Sequence, residues 1–235
     1  MSRDKNKKFT ICACISRSFI DKGKVAILAS FLRNEGYDVI MEQDLCKKMI
    51  QYTTDIDSLL SSTILACYPR AIRSLFHRLG TVPYRALDIR NHSVQDILNQ
   101  LNVSFSNQGN DSGKEAVERE VDSFVAETRT DAWYPVIDKE RCTECGQCHD
   151  FCLFGVYEMK KGTVGVKHPQ NCKNNCPACA RICPSKAIIF PKYDKSPING
   201  GLEDEEVVSV NTKSLFTEAL RMRLQQRRAG ISLLK

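Results

Sequence analysis

The chain has no long apolar run: no stretch of its 235 residues could span a membrane. Its first residues, Met-Ser-Arg-Asp-Lys-Asn-Lys-Lys, hold no apolar signal segment. A disulfide framework is therefore not expected, and a reducing cytoplasmic setting is. No Gly-x-Gly-x-x-Gly follows a strand-like segment, so no flavin is expected. Histidine is scarce, and His77, His92, His149 and His168 show no spacing that demands a ligand role. No activated nucleophile and no general acid–base pair stand out. The chemistry of any final reaction is expected on a partner.

What the chain has instead is cysteine, twelve in all. Eight form two runs. The first is Cys142-x-x-Cys145-x-x-Cys148-x-x-x-Cys152. The second is Cys172-x-x-x-Cys176-x-x-Cys179-x-x-x-Cys183, followed by Pro184. Zinc ribbons use paired knuckles rather than triplets with a trailing cysteine. Cys172, Cys176 and Cys179 alone have the spacing of radical S-adenosylmethionine enzymes, but that fold needs a longer barrel than this chain supplies. A cubane needs four soft thiolates around one small cavity, and three cysteines spaced by two residues can wrap it.

Residues 134–191 thus resemble a bacterial dicluster ferredoxin domain. Two positions depart from the pattern. Leu153 stands where the first run usually carries proline, and Lys173, Asn174 and Asn175 widen the Cys172–Cys176 step by one residue. The resemblance implies two [4Fe–4S] clusters with crossed ligation. Cys142, Cys145, Cys148 and Cys183 would hold one, and Cys152, Cys172, Cys176 and Cys179 the other. Metal loss should then unfold the domain.

The formal charge is +6, which would ordinarily point toward nucleic acid. An oxidised cubane on four thiolates carries about −2, so two bring the total to about +2 and three to about zero. The basic excess is then largely a counter-charge for clusters, and the case for nucleic acid loses most of its support.

The first hundred residues alternate strand and helix. Strands are expected over 9–11, 37–41, 62–66 and 84–89, and helices over 24–34, 70–79 and 94–101. Such alternation with short connections implies a parallel sheet wrapped by helices. Cys12 and Cys14 follow the first strand, Cys46 the second, and Cys67 ends the third. The carboxyl ends of parallel strands share one edge, where ligands bind. The four cysteines are therefore expected to converge there on a third [4Fe–4S] cluster. Other readings remain open: zinc on the same thiolates, a redox thiol pair, or small buried hydrophobes. Arg70, Arg73 and Arg90 are expected either near that edge, offsetting cluster charge, or on a solvated helix face.

Residues 9–102 are similar to the N-terminal domain of the flavoprotein subunit of heterodisulfide reductases. The likeness rests on Cys12-x-Cys14, Cys46, Ala66-Cys67-Tyr68-Pro69-Arg70 and Asp88-Ile89-Arg90-Asn91. Ile15 and Ser16 replace the usual glycine after Cys-x-Cys. The likeness implies service to an oxidoreductase complex.

The expected architecture is an α/β parallel-sheet N-terminal domain over 1–102, then a linker and amphipathic helix over 103–132. A small α+β dicluster ferredoxin-like domain follows over 133–195, then a tail over 196–235 with a basic amphipathic C-terminal helix. The helix near 115–128 is expected to pack between the two domains. The tail helix either packs on its own domain or docks a partner subunit, with nucleic acid or anionic lipid a third reading. The expected function is electron transfer to or from redox partner proteins. The rivals are a structural or redox-sensing iron–sulfur protein, and a catalyst with an open iron site.

Overall fold

The computed structural model describes residues 7–51, 56–83, 85–103, 111–127 and 132–202. The expected tail helix lies outside the described residues, as does most of the expected linker. The N-terminal half runs β1 (Lys8–Cys12), α1 (Lys22–Asn34), β2 (Asp38–Glu42), α2 (Leu45–Gln51), α3 (Ile56–Leu60), β3 (Thr63–Ala66), α4 (Pro69–His77), β4 (Arg85–Asp88) and α5 (Val94–Leu101). All four strands are parallel, in the order β2-β1-β3-β4.

Local chemistry accounts for these elements. Asp21 caps α1 by accepting from the Lys24 backbone N–H at 2.7 Å, and Val25, Leu28, Ala29 and Leu32 form its buried stripe. Ser93 and Asp96 close a capping box at α5. Every residue of β3 is buried, as a central strand covered on both faces must be. The right-handed crossover rule, applied to this strand order, puts α1 on one face of the sheet and α2 to α4 on the other. The packing agrees: α1 touches α5, and α2 touches α4.

The next helix, α6 (Asp111–Glu127), begins four residues earlier than its apolar spacing predicted. It lies along α1, not between the halves. Val117 and Val121 are buried, and Lys22–Asp122 and Arg33–Glu120 ion pairs flank the contact. Apolar periodicity shows that a helix has a face to cover, not which neighbour covers it.

The C-terminal half runs β5 (Val136–Ile137), α7 (Gln147–Phe151), β6 (Tyr157–Lys160), β7 (Thr163–Val166), α8 (Ala178–Ile182) and β8 (Ile188–Ile189). Its contacts are palindromic: β5 pairs with β8, β6 with β7, and α7 packs on α8. The observed fold is thus the expected pair, an α/β parallel sheet followed by a small α+β unit. No helix among the described residues is long and apolar enough to cross a membrane.

The β5–β8 ribbon is the wall between the halves. Side chains alternate across a strand. Val136 and Ile189, paired in register, join the core of the N-terminal half; Ile137 and Ile188 face the other way, into the C-terminal core. Beside the ribbon, Arg70 donates from Nε to Asp138 Oδ2 at 2.6 Å and from Nη2 to the Lys186 carbonyl at 2.5 Å. Asp138 is buried, and the Arg70 side chain is largely covered. Asp138→Ala should therefore cost about 3 to 5 kcal/mol, because it leaves a guanidinium buried without its counter-charge. Chemical unfolding of the full-length protein measures this. A double variant, Arg70→Met with Asp138→Leu, should recover most of the loss.

Candidate functional site

In the order β2-β1-β3-β4, the chain leaves β1 toward one edge of the sheet and later returns to β3 on the other side. The carboxyl ends of β1 and β3 therefore flank the topological switch point, the usual ligand crevice of an open parallel sheet. Cys12 ends β1 and Cys14 follows it, Cys67 follows β3, and Cys46 stands in the first turn of α2. All four are buried and none is disulfide-bonded. Cys14 has φ of +49°, a left-handed conformation that a non-glycine residue adopts at a cost. The Leu45 backbone N–H donates to Cys12 Sγ at 3.4 Å. The Tyr134 hydroxyl, from the chain entering β5, donates to the Cys46 carbonyl at 2.7 Å and anchors that turn.

Burial pushes the Cys67 thiol up to about 12, with nearby Cys14 adding to the rise. Burial also raises Cys46, whose neighbours include Cys67 and Cys14, and Cys12, which lies beside Cys14. Cys14 is thus a neighbour of each of the other three at one rim.

In the C-terminal half, the palindromic pairing carries the end of each cysteine run to the start of the other. A small cavity is lined by Cys142, Cys145, Cys148 and Cys183. Gly146, between the second and third of these, takes φ of +76° as the chain turns into α7. Burial pushes Cys148 up to about 12, assisted by Cys179, Cys183 and Cys142. Cys172 and Cys179 are also pushed to about 12 by burial; the thiols around Cys172 are Cys176 and Cys152, and those around Cys179 are Cys172, Cys152 and Cys176. The Tyr157 hydroxyl donates to Cys179 Sγ at 3.0 Å, and the Ala187 N–H to Cys183 Sγ at 3.3 Å. Leu153, in place of the usual proline, is 93% exposed, so the exchange disturbs no packing.

The widened Cys172–Cys176 step meets the N-terminal half. Arg17, three residues past Cys14, donates to Asn174 Oδ1 at 3.2 Å and Asn175 Oδ1 at 2.6 Å. Its guanidinium also lies 5.1 Å from the centre of the Trp133 ring. Cys172 packs against both cores.

The arginines divide. Arg90 is close enough to Cys67 to lower its thiol pKa in part, and it stacks on Phe19 and Tyr68. Arg70 is committed to Asp138, and Arg73 pairs with Glu140 on the exposed side. A second cation reaches the rim, one that sequence reasoning missed. Lys192, just after β8, is 2% exposed and donates to Cys14 Sγ at 3.4 Å. No local signal could have found it, because its partners lie far away in the chain. Among the described residues, no group of three or more His, Cys, Asp or Glu side chains is arranged to hold a metal ion.

No family model matches the chain. It is 38% identical over 99 residues to an uncharacterized ferredoxin of Methanocaldococcus jannaschii, a match covering 42% of this chain and 65% of that relative. It is 32% identical over 80 residues to Ferredoxin-3 of a Nostoc species, covering 26% of this chain and 81% of the relative. A second uncharacterized ferredoxin of M. jannaschii is 34% identical over 57 residues, covering 23% of this chain and 74% of the relative. With most of two ferredoxins spanned at this identity, the chain belongs to the ferredoxins, iron–sulfur proteins that carry electrons.

Proposed function

We propose that the chain carries three [4Fe–4S] clusters and passes single electrons to or from an oxidoreductase complex. The observation that carries this reading is the cavity lined by Cys142, Cys145, Cys148 and Cys183. It gathers three cysteines of the first run and the last of the second, the set that crossed ligation requires. The donors fit the group: the thiols are free, and two accept hydrogen bonds from Tyr157 and Ala187 of the kind that tune a cluster. A single ion would need every thiolate about 2.3 Å away, whereas a cubane spreads its four over separate corners.

The nearness of Cys152, Cys172, Cys176 and Cys179 to one another supports a second cluster on those four, and that of Cys12, Cys46 and Cys67 to Cys14 a third on the rim. When bound, each cluster supplies one-electron redox chemistry. The protein's own residues do the rest. Tyr157 holds Cys179, Tyr134 holds the Cys46 turn, and the buried rim excludes water from Cys12, Cys14, Cys46 and Cys67. The Arg17 contact with Asn175 and the packing of Cys172 on the N-terminal core favour the second set as the one nearest the N-terminal rim, and the exposed Cys145 favours the first set as the solvent end. The order is therefore N-terminal rim, second set, first set. The likeness of residues 9–102 to the heterodisulfide reductase subunit makes a complex of that type the partner class.

Iron and acid-labile sulfide counts on anaerobically purified protein test the reading. About twelve irons are expected, with three reversible one-electron steps at low potential. About eight irons would remove the N-terminal cluster, and zinc in its place would make that site structural. Clusters that undergo no reversible reduction would make the protein a structural or sensing one.

A further inference from the structure

Lys192 and Asp44 are both almost wholly buried, their side chains 2% and 1% exposed, and they meet at 2.7 Å. Burying an ammonium and a carboxylate together is costly unless every proton finds an acceptor. Here the acceptors are complete. Lys192 Nζ donates to Asp44 Oδ2 at 2.7 Å, to Ser16 Oγ at 2.7 Å and to Cys14 Sγ at 3.4 Å. Ser16 in turn donates to Asp44 Oδ2 at 2.7 Å. Asp44 is also tied down from behind, since its Oδ1 accepts from the Lys47 N–H at 3.2 Å, which caps α2 just ahead of Cys46.

An ion pair that only fastened the two halves together would not need a sulfur as its third acceptor. Nor would it need to stand among the cysteines. The Asp44 carboxylate, 2.7 Å away and as deeply buried, is the counter-charge to the ammonium. The cation comes from the C-terminal half, 178 residues beyond Cys14. It reaches the rim because Lys192 follows the β8 strand that walls the two halves apart.

We propose that Lys192 is a positioning residue of the N-terminal cysteine site, its buried charge making a cluster held by Cys12, Cys14, Cys46 and Cys67 easier to reduce. This rests on the third-cluster reading above. Reduction adds a negative charge to the site, and a fixed ammonium hydrogen-bonded to one ligand sulfur favours the more negative state. Asp44 opposes that effect from the same spot. Removing either charge should therefore move the potential in opposite directions.

The test is a redox titration of full-length Lys192→Met and Asp44→Asn, followed by electron paramagnetic resonance, with iron counted on each sample. Asparagine keeps the α2 cap through its Oδ1, while its Nδ2 cannot accept from Lys192 or Ser16, so Asp44→Asn removes the charge together with those two contacts. In Lys192→Met at full iron, the N-terminal cluster should lose about tenfold in its one-electron reduction constant, or ~59 mV, with the other two clusters unmoved. Asp44→Asn should shift the same cluster upward. An unchanged N-terminal potential in Lys192→Met at full iron overturns the proposal, because the pair is then only a fastening. If Lys192→Met loses about four irons, Lys192→Arg decides. Full iron in the arginine variant supports a requirement for charge, and equal loss overturns it. A wild-type protein with about eight irons overturns the third cluster itself, and with it the role of Lys192, before any variant is made.

Discussion

Cys183→Ala will cost the protein about four irons, and the thiols it uncovers will be those of Cys142, Cys145 and Cys148. Sequence proximity argues the opposite, since Cys183 closes the run that holds Cys172, Cys176 and Cys179. The fold overrides proximity. α8 carries the chain away from Cys179, and β8 then pairs with β5, just ahead of Cys142. Cys183 consequently lines the cavity of the first run. Alkylation of the intact variant followed by mass spectrometry reads the result. Label on Cys142, Cys145 and Cys148, with Cys152, Cys172, Cys176 and Cys179 still protected, is expected. Label on the second run instead would show that the ligation is not crossed.

Stripping the metal will unfold the C-terminal half and leave the N-terminal sheet standing. Apart from its cysteines, the C-terminal core is small: Trp133, Ile137, Val156, Tyr157, Val164, Ala180, Ile188 and Phe190. Cys148 and Cys179 occupy its interior, so clusters held there would form the centre around which these side chains pack. So small a unit lacks the buried area to hold alone. The N-terminal sheet has a far larger core, with Phe9, Ile11, Leu28, Leu65 and Phe76 fully covered. Trp133 is the chain's one tryptophan, stacked on Phe190 at 5.1 Å, so its fluorescence reports the C-terminal half directly. A red shift on anaerobic chelation is expected, while β3 amides stay protected from hydrogen exchange. An unmoved Trp133 spectrum after complete iron loss would contradict this.

The stripped N-terminal half will also be sensitive to alkali. Its Cys67 thiol, raised by burial to about 12 in the folded state from an ordinary 9.0, stays neutral where the unfolded chain ionises. The stability it contributes is whole below about pH 9 and is lost progressively as pH rises toward 12. Thermal melts of the stripped protein across that window should fall with increasing pH.

The elements that were legible in advance are those with a full local signature. The stripe and cap of α1, the Ser93–Asp96 box of α5 and the Pro69 start of α4 each lie within a dozen residues. The helices α2 and α3 were not legible, because seven and five residues are too few to show a helical period. That gap left Cys46 with no element of its own, when it stands in the first turn of a helix that turns it into the core. The rim itself was legible, since parallel strands alone send Cys12, Cys14 and Cys67 to one edge. Lys192 was not, because its meaning is wholly tertiary: its carboxylate partner lies 148 residues away.

The extra residue between Cys172 and Cys176 bears on whether the two halves are interchangeable parts. A ferredoxin unit with the ordinary two-residue step would have one side chain fewer to offer Arg17, which here binds both Asn174 and Asn175. The guanidinium held by that pair also covers Trp133, so the widened loop, the N-terminal loop and the C-terminal core are fitted to one another. A unit borrowed from a relative could keep every cysteine and still fail to seat. The feature that looks like a blemish in the motif is, at the level of the whole chain, a key cut for one lock.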